Sequence, residues 1–75
     1  MQIKIIGKIE SISTIAEGSG IRDLSVLRSQ YGIGNWKKKK GFAKVNYKGI
    51  KKMAEIHWYE AHGIGRVKLK IKRWL

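Results

Sequence analysis

Glu55, His57 and Tyr59 stand at every second position of the run Ala54-Glu55-Ile56-His57-Trp58-Tyr59-Glu60, and His62 comes shortly after. Alternate residues of a β-strand share a face, so this spacing gathers a carboxylate, an imidazole and a phenol on one side. Such a group can move protons. With RNA as substrate it holds the parts of a metal-independent phosphodiester cleavage: a base for the 2′-hydroxyl, an acid for the departing 5′-oxygen, and cations for the phosphorane charge. Glu55 or His57 can serve as base, and His57, Tyr59 or His62 as acid. Arg66, Lys68 and Lys70 supply positive charge. The bland alternative is an antiparallel sheet with one wet face, on which opposite charges pair for solubility.

A second set of residues points to polyanion binding. The stretch YGIGNWKKKKG places Trp36 ahead of Lys37, Lys38, Lys39 and Lys40, which reads as a glycine-rich, mobile loop that grips phosphates. Lys44, Lys68, Lys70 and Lys72 add alternating cations further along, and Phe42 and Tyr59 offer flat surfaces for stacked bases. Trp36 and Trp74 can stack on bases or plug the ends of the core. The glycines of HGIG, after His62, either expose backbone N–H groups to a phosphate or merely turn the chain. Neither Gly32-Ile33-Gly34 nor GNWKKKKG has the context of a dinucleotide fingerprint or a Walker A loop.

Composition narrows the classes. Seventeen Lys and Arg against five Asp and Glu give a formal net charge of +12, a strong self-repulsion that nucleic acid, an anionic membrane or an acidic protein would offset. The absence of cysteine excludes disulfides and thiolate metal sites. Two histidines with few carboxylates predict neither a structural metal nor a cofactor. Residues 1–75 suffice for one small basic domain with a modest core. Met1 to Ile15 lacks the apolar run of a signal peptide, and no window of ~18 apolar residues is present. The expected location is cytoplasmic.

These residues require elements to position them. Gln2 to Ile6 alternates as a strand ended by Gly7; Lys8 to Ala16 balances strand against helical turn and is taken as strand. Glu17-Gly18-Ser19-Gly20 is a turn, with Ser19 placed to cap the next segment. Ile21, Leu24, Leu27 and Tyr31 share a face of a helix from Ile21 to Tyr31, with Asp23 in its first turn and Gly32 as its stop. Phe42–Tyr47, Ile50–Glu60 and Gly65–Arg73 form a three-stranded meander. A two-residue turn at Lys48-Gly49 sets Tyr47 opposite Ile50, Val45 opposite Lys52 and Ala43 opposite Ala54. A four-residue loop, Ala61 to Ile64, sets Trp58 opposite Val67, Ile56 opposite Leu69 and Ala54 opposite Ile71. The apolar residues then line one face for the helix to cover. The other face collects Glu55 opposite Lys70, His57 opposite Lys68 and Tyr59 opposite Arg66. The fold class expected is α+β: one amphipathic helix packed on a mainly antiparallel sheet, the meander plus one or two N-terminal strands.

The run AEIHWYEAHGIGRVKLKIKRWL, with YGIGNWKKKKGFAKV and IAEGSGIRDL upstream, resembles a group of small, free-standing, uncharacterised basic proteins of bacteria, notably cyanobacteria, most specifically at HWYEAHGIG. That resemblance implies no activity. In architecture alone the chain is similar to RelE-type toxin ribonucleases, which set helix before an antiparallel sheet and cleave RNA from its basic face without metal; no catalytic position carries over.

The sequence therefore predicts a nucleic-acid-binding domain, with RNA favoured over DNA, acting through the polar face of its sheet. The alternative is a toxin-like endoribonuclease on the same face, whose expected partner is an acidic protein antidote. A third reading, binding of an anionic membrane surface through RVKLKIKRWL, ranks last because Val67, Leu69 and Ile71 are needed by the core. Monomer and homodimer both stay open, since an exposed strand edge could pair with a second copy.

Overall fold

Extended backbone runs further along this chain than the residue pattern promised. In the computed structural model, which describes residues 4–75, β1 (Lys4–Glu17) is a single strand of 14 residues. The expected strand start at Gln2 and Ile3 lies outside the described residues. Gly7 does not end the strand. With Ser11 it adopts a positive φ, and near them the pairing with the next strand slips, between Ile6 and Glu10 and again between Glu10 and Ser13. Such irregularities bend a strand and raise its twist without breaking it.

A 3₁₀ turn (Gly18–Gly20) leads into α1 (Leu24–Tyr31), which has eight residues. Ile21, expected inside the helix, is extended and buried. Asp23 stands at the N-cap position without a side-chain capping bond, and the expected cap, Ser19, lies within the 3₁₀ turn. Lys37–Lys40, expected to form a loop, are instead the first third of β2 (Lys37–Tyr47). These lysines pair with Glu17, Ala16, Thr14 and Ser13 of β1 on one side and with Glu60, Tyr59, Trp58 and His57 on the other. A central strand satisfies all its backbone polar groups, which outweighs the weak strand preference of lysine. β3 (Ile50–Ala61) and β4 (Gly65–Trp74) complete one antiparallel sheet in the order β1-β2-β3-β4. The α+β expectation is thus corrected. Among the described residues the domain is mostly β, with one short helix, although the C-terminal meander and the N-terminal strand are present.

The first hairpin has the expected register, with Tyr47 opposite Ile50, Val45 opposite Lys52 and Ala43 opposite Ala54. Lys48 and Gly49 both have positive φ, 52° and 82°, the signature of the type I′ turn whose twist matches the flanking strands. Asn46 Oδ1 accepts a hydrogen bond from the Gly49 amide at 3.1 Å. The second register differs from expectation. Ala61 pairs with Gly65, so the loop is His62–Ile64, one residue shorter than predicted. Tyr59 therefore faces Val67, and Glu60 faces Arg66. Two further slips place Lys70 opposite His57 and Arg73 opposite Glu55. One of these slips surrounds Lys68, whose φ is 54°, and it turns Val67 and Leu69 onto opposite faces.

Two buried clusters result. Ala43, Val45, Ala54, Ile56 and Trp58 line the inner face, joined by Ile5 and Ile9 of β1 and by Leu69 and Ile71 of β4. β1 and β4 are the two edges of the sheet, so their meeting on one cluster means that the sheet curls on itself. Gly41 permits the curl. A Cβ there would collide with the Ile9 side chain and lie 3.1 Å from the Glu10 carbonyl oxygen. The inner stripe is covered by this curl and not, as predicted, by the helix. α1 packs instead over the opposite face at one end, where Ile21, Leu27 and Trp36 bury Ala61 and partly cover Tyr59 and Val67. Each fully buried large side chain contributes about 1.5–3 kcal/mol. With two clusters sharing one sheet, both of its faces at this end carry core.

Candidate nucleic-acid interface

The registers define the outer face of the sheet. Lys38, Lys40, Phe42 and Lys44 of β2 lie opposite Tyr59, His57, Glu55 and Met53 of β3, and β4 adds Lys70 beside His57 and Arg73 beside Glu55. Alternation along β2 and β3 keeps these side chains together. Lys38 confirms the arrangement, its ammonium lying 5.8 Å from the centre of the Tyr59 ring.

At the centre sits a hydrogen-bonded chain. His57 Nε2 and Glu55 Oε2 are 2.6 Å apart, and Arg73 Nε donates to Glu55 Oε1 at 3.0 Å. An ionised carboxylate only accepts, so Nε2 carries hydrogen and Nδ1 is the ring nitrogen left for other contacts. The hydrogen bond from His57 holds the Glu55 carboxyl below its ordinary range; partial burial opposes this, and the hydrogen bond and charge of Arg73 reinforce it. Glu55 is therefore an anion engaged at both oxygens. His57 is only 9% exposed, which limits how closely a substrate atom can approach the ring.

Tyr59 is brought to the same face and then diverted. Its hydroxyl donates to Asp23 Oδ2 at 3.4 Å, beside the start of α1. Burial pushes the phenol above its ordinary value, and the Asp23 charge and hydrogen bond push it the same way. A raised phenol favours the protonated form that this hydrogen bond needs. His62 lies apart from both, in the β3–β4 loop, lining a groove with Glu60. The four candidate catalytic residues thus resolve into one contacting pair, Glu55 and His57, and two separated groups.

The predicted binding residues divide between faces. Lys37 and Lys39 point with Glu60 to the other side of the sheet, where Lys39 Nζ lies 3.8 Å from Glu60 Oε2. Arg66, expected beside Tyr59, instead lies over the Trp58 ring at 5.3 Å and 4.0 Å from Glu60 Oε1. The shorter loop causes this, since shifting a register by one residue exchanges faces. Lys68 and Lys72 occupy the two irregular stretches of β4 and are exposed. Trp36 is 1% exposed and donates its indole N–H to the Gly32 carbonyl at 3.0 Å, so it plugs the helix end of the core. Lys44 and Lys70 lie on the outer face as expected, and Lys38 and Lys40, expected in the loop, join them there.

Sequence reasoning missed Arg73, which completes the central chain, and Asp23 as the partner of Tyr59. Only the bulges of β4 bring Arg73 opposite Glu55, and nothing in the residue pattern locates them. Glu60 was also missed as a hub. It accepts the Trp58 indole N–H at 2.7 Å, a partner that a buried tryptophan N–H beside an i+2 carboxylate could have suggested.

What the fold and site define is a small curled antiparallel sheet with a cationic outer face. No protein-family model, curated protein or solved structure compared with the chain matches it. No helix among the described residues is long and apolar enough to cross a membrane.

Proposed function

We propose that the protein binds nucleic acid, single-stranded RNA in preference, along the outer face of its sheet. One observation carries this reading: Lys38, Lys40, Lys44 and Lys70 share the outer face with a carboxylate that is ion-paired to Arg73 and hydrogen-bonded to His57. Phosphates meeting that surface encounter free cations and no free anion at its centre. Phe42, half-buried opposite Glu55, adds a ring against which an unstacked base can lie. Splayed bases are a property of single strands, and sheet aromatics are a common platform for them.

Counterion release makes the test quantitative. Four phosphate contacts on a single strand give a slope near −2.8 in log affinity against log salt, about a fiftyfold weakening between ~50 and ~200 mM. Fluorescence anisotropy with a labelled RNA measures it. The Lys40→Ala/Lys70→Ala protein should lose two contacts and weaken only about sevenfold over the same range. Salt-insensitive binding, or a slope unchanged in the double variant, rejects the outer face as the interface.

A second reading rests on the 2.6 Å Glu55–His57 contact. A carboxylate that orients an imidazole beside Lys40 and Lys70 is an arrangement for proton transfer at a phosphodiester, with attack of the 2′-oxygen on phosphorus and departure of the 5′-oxygen. Gel analysis of the RNA after the same titration separates the readings. Intact RNA leaves binding alone. Cleavage that persists in His57→Gln removes His57 from the chemistry.

A further inference from the structure

A groove of about 790 Å³ opens at the other end of the sheet, between the 3₁₀ turn, the end of α1, the start of β2 and the β3–β4 loop. Arg28, Lys37, Lys39 and His62 line it, together with Glu17 and Glu60. It shares no residue with the outer-face set, and its volume falls in the range of small-ligand sites. The four groups come from three elements, α1, β2 and the β3–β4 loop, which only the fold brings together.

The cations of the groove, like the lysines of the outer face, are largely without ion-pair partners among the described residues. Among the described residues neither Arg28 nor Lys37 has a carboxylate within 4 Å, and Lys39 holds Glu60 only at 3.8 Å. Three cations are thus concentrated at one spot. Glu60 is committed to the Trp58 indole N–H and to Lys39, whereas Glu17 is exposed on the lining with no ion-pair partner among the described residues. A continuous diester backbone passing through would meet both carboxylates. A compact dianion would not need to. A phosphate monoester carries about −1.5 to −2 charges at neutral pH and offers several acceptor oxygens on one atom, and Arg28 can engage it through two parallel N–H groups. The sugar hydroxyls or base amino groups of the same ligand would donate to Glu17.

We propose that this groove binds a phosphate monoester on a nucleoside, either the terminal phosphate of an RNA strand or a free mononucleotide. The RNA form rests on the binding function proposed above, with the groove recognising the strand end while the outer face holds the strand elsewhere.

The test is displacement of a fluorescent RNA by unlabelled strands of one sequence bearing a 5′-phosphate, a 3′-phosphate or neither. It is paired with amide chemical-shift mapping during titration with adenosine 5′-monophosphate. One phosphorylated strand should compete about tenfold better than the unphosphorylated one. That advantage should vanish in Arg28→Ala/Lys37→Ala, while the unphosphorylated strand competes as before. In Lys40→Ala/Lys70→Ala all strands should weaken together and the ratio should persist. The mononucleotide should shift the amides of Asn35 and His62 in the parent but not in the groove variant, and Arg28→Gln, which removes the charge but keeps a polar side chain, should also lose the shift. Equal competition by all strands with no amide shift overturns the groove and leaves the outer face standing. Amide shifts without any RNA binding keep the groove for free nucleotides and reject the outer-face reading. A phosphate advantage that survives in the groove variant places the monoester elsewhere and also overturns the proposal.

Discussion

The two faces of β3 are built from alternate residues of one short run, yet they spend their side chains differently. Ala54, Ile56 and Trp58 are each at most 1% exposed and meet side chains from all four strands. Glu55, His57 and Tyr59, between them, meet cations, carboxylates and the helix. The inner face gains stability from apolar area, whereas the outer face gains mainly position, because hydrogen-bonded charges recover little beyond their desolvation. The lesson is that burial alone does not mark a core residue. His57, at 9% exposure, is nearly as buried as Ala61 at 5%, but its neighbours are ionic.

The largest effect should come from the inner face. Trp58→Ala removes the ring that packs on the inner cluster, leaves Glu60 Oε1 without its indole donor and takes away the surface under Arg66. A large aromatic-to-alanine change in a core costs about 3–5 kcal/mol. A domain of this size has a total stability on the order of 4–11 kcal/mol. Urea unfolding followed by circular dichroism should therefore show a protein that has lost most of its stability. Lys40→Ala and Lys70→Ala, on the outer face, should each stay within about 0.5 kcal/mol of the parent. If Trp58→Ala were equally mild, the curl of the sheet would not be the main source of stability.

The next effect sharpens the comparison through pH. Glu55 is held below its ordinary value of 4.5 by the His57 hydrogen bond and by Arg73. A depressed carboxyl contributes stability that is present above the unfolded value and is lost as pH falls through the folded one. The parent should accordingly lose stability below about pH 4.5 along a limb that Glu55→Gln lacks. Thermal melting between about pH 3 and 7 measures it. Glutamine should lower the melting temperature at neutral pH, and the difference from the parent should shrink as the solution is acidified. A constant difference would show that the loss is one of shape and not of charge.

The inner face was legible in the sequence because period-two alternation and a two-residue Lys-Gly turn fix the β2–β3 pairing. Trp58, Ile56 and Ala54 then fall on one side. The outer face was legible only as far as β3 reaches, so Glu55, His57 and Tyr59 were correctly placed on one strand side. Their partners were not. β4 departs from regular pairing twice, and residues such as Lys68, Lys70 and Lys72 look alike in sequence wherever a bulge falls. The helix was misjudged for a related reason. Its apolar repeat was real, but an eight-residue helix can cover only one end of a sheet whose strands reach 14 residues. Lys37–Lys40 show the complementary error, since composition suggested a solvated loop while the flanking strands β1 and β3 demanded a backbone partner.

The smallest effect lies where the two faces meet the helix. Tyr59 shares the outer face with His57 but packs beneath α1 with Val67 and Ala61, so it belongs partly to each kind of environment. Its hydrogen bond to Asp23 is long, at 3.4 Å, and exposed. Tyr59→Phe should cost less than about 1 kcal/mol at neutral pH, because the ring and its contacts remain. The distinction emerges in alkali. Burial and Asp23 raise the phenol above 10.0, so the folded state resists forming the phenolate. That contribution is complete below the unfolded value and is lost as pH rises from about 10 through the folded one. Melting temperatures of the parent should fall across this window, while Tyr59→Phe should fall less, and the two curves should converge. Ultraviolet difference titration should show a tyrosine ionisation that is absent from Tyr59→Phe, and Asp23→Asn should bring it to lower pH. If Asp23→Asn left the titration unchanged, burial alone would hold the phenol, and Tyr59 would belong wholly to the apolar side of the comparison.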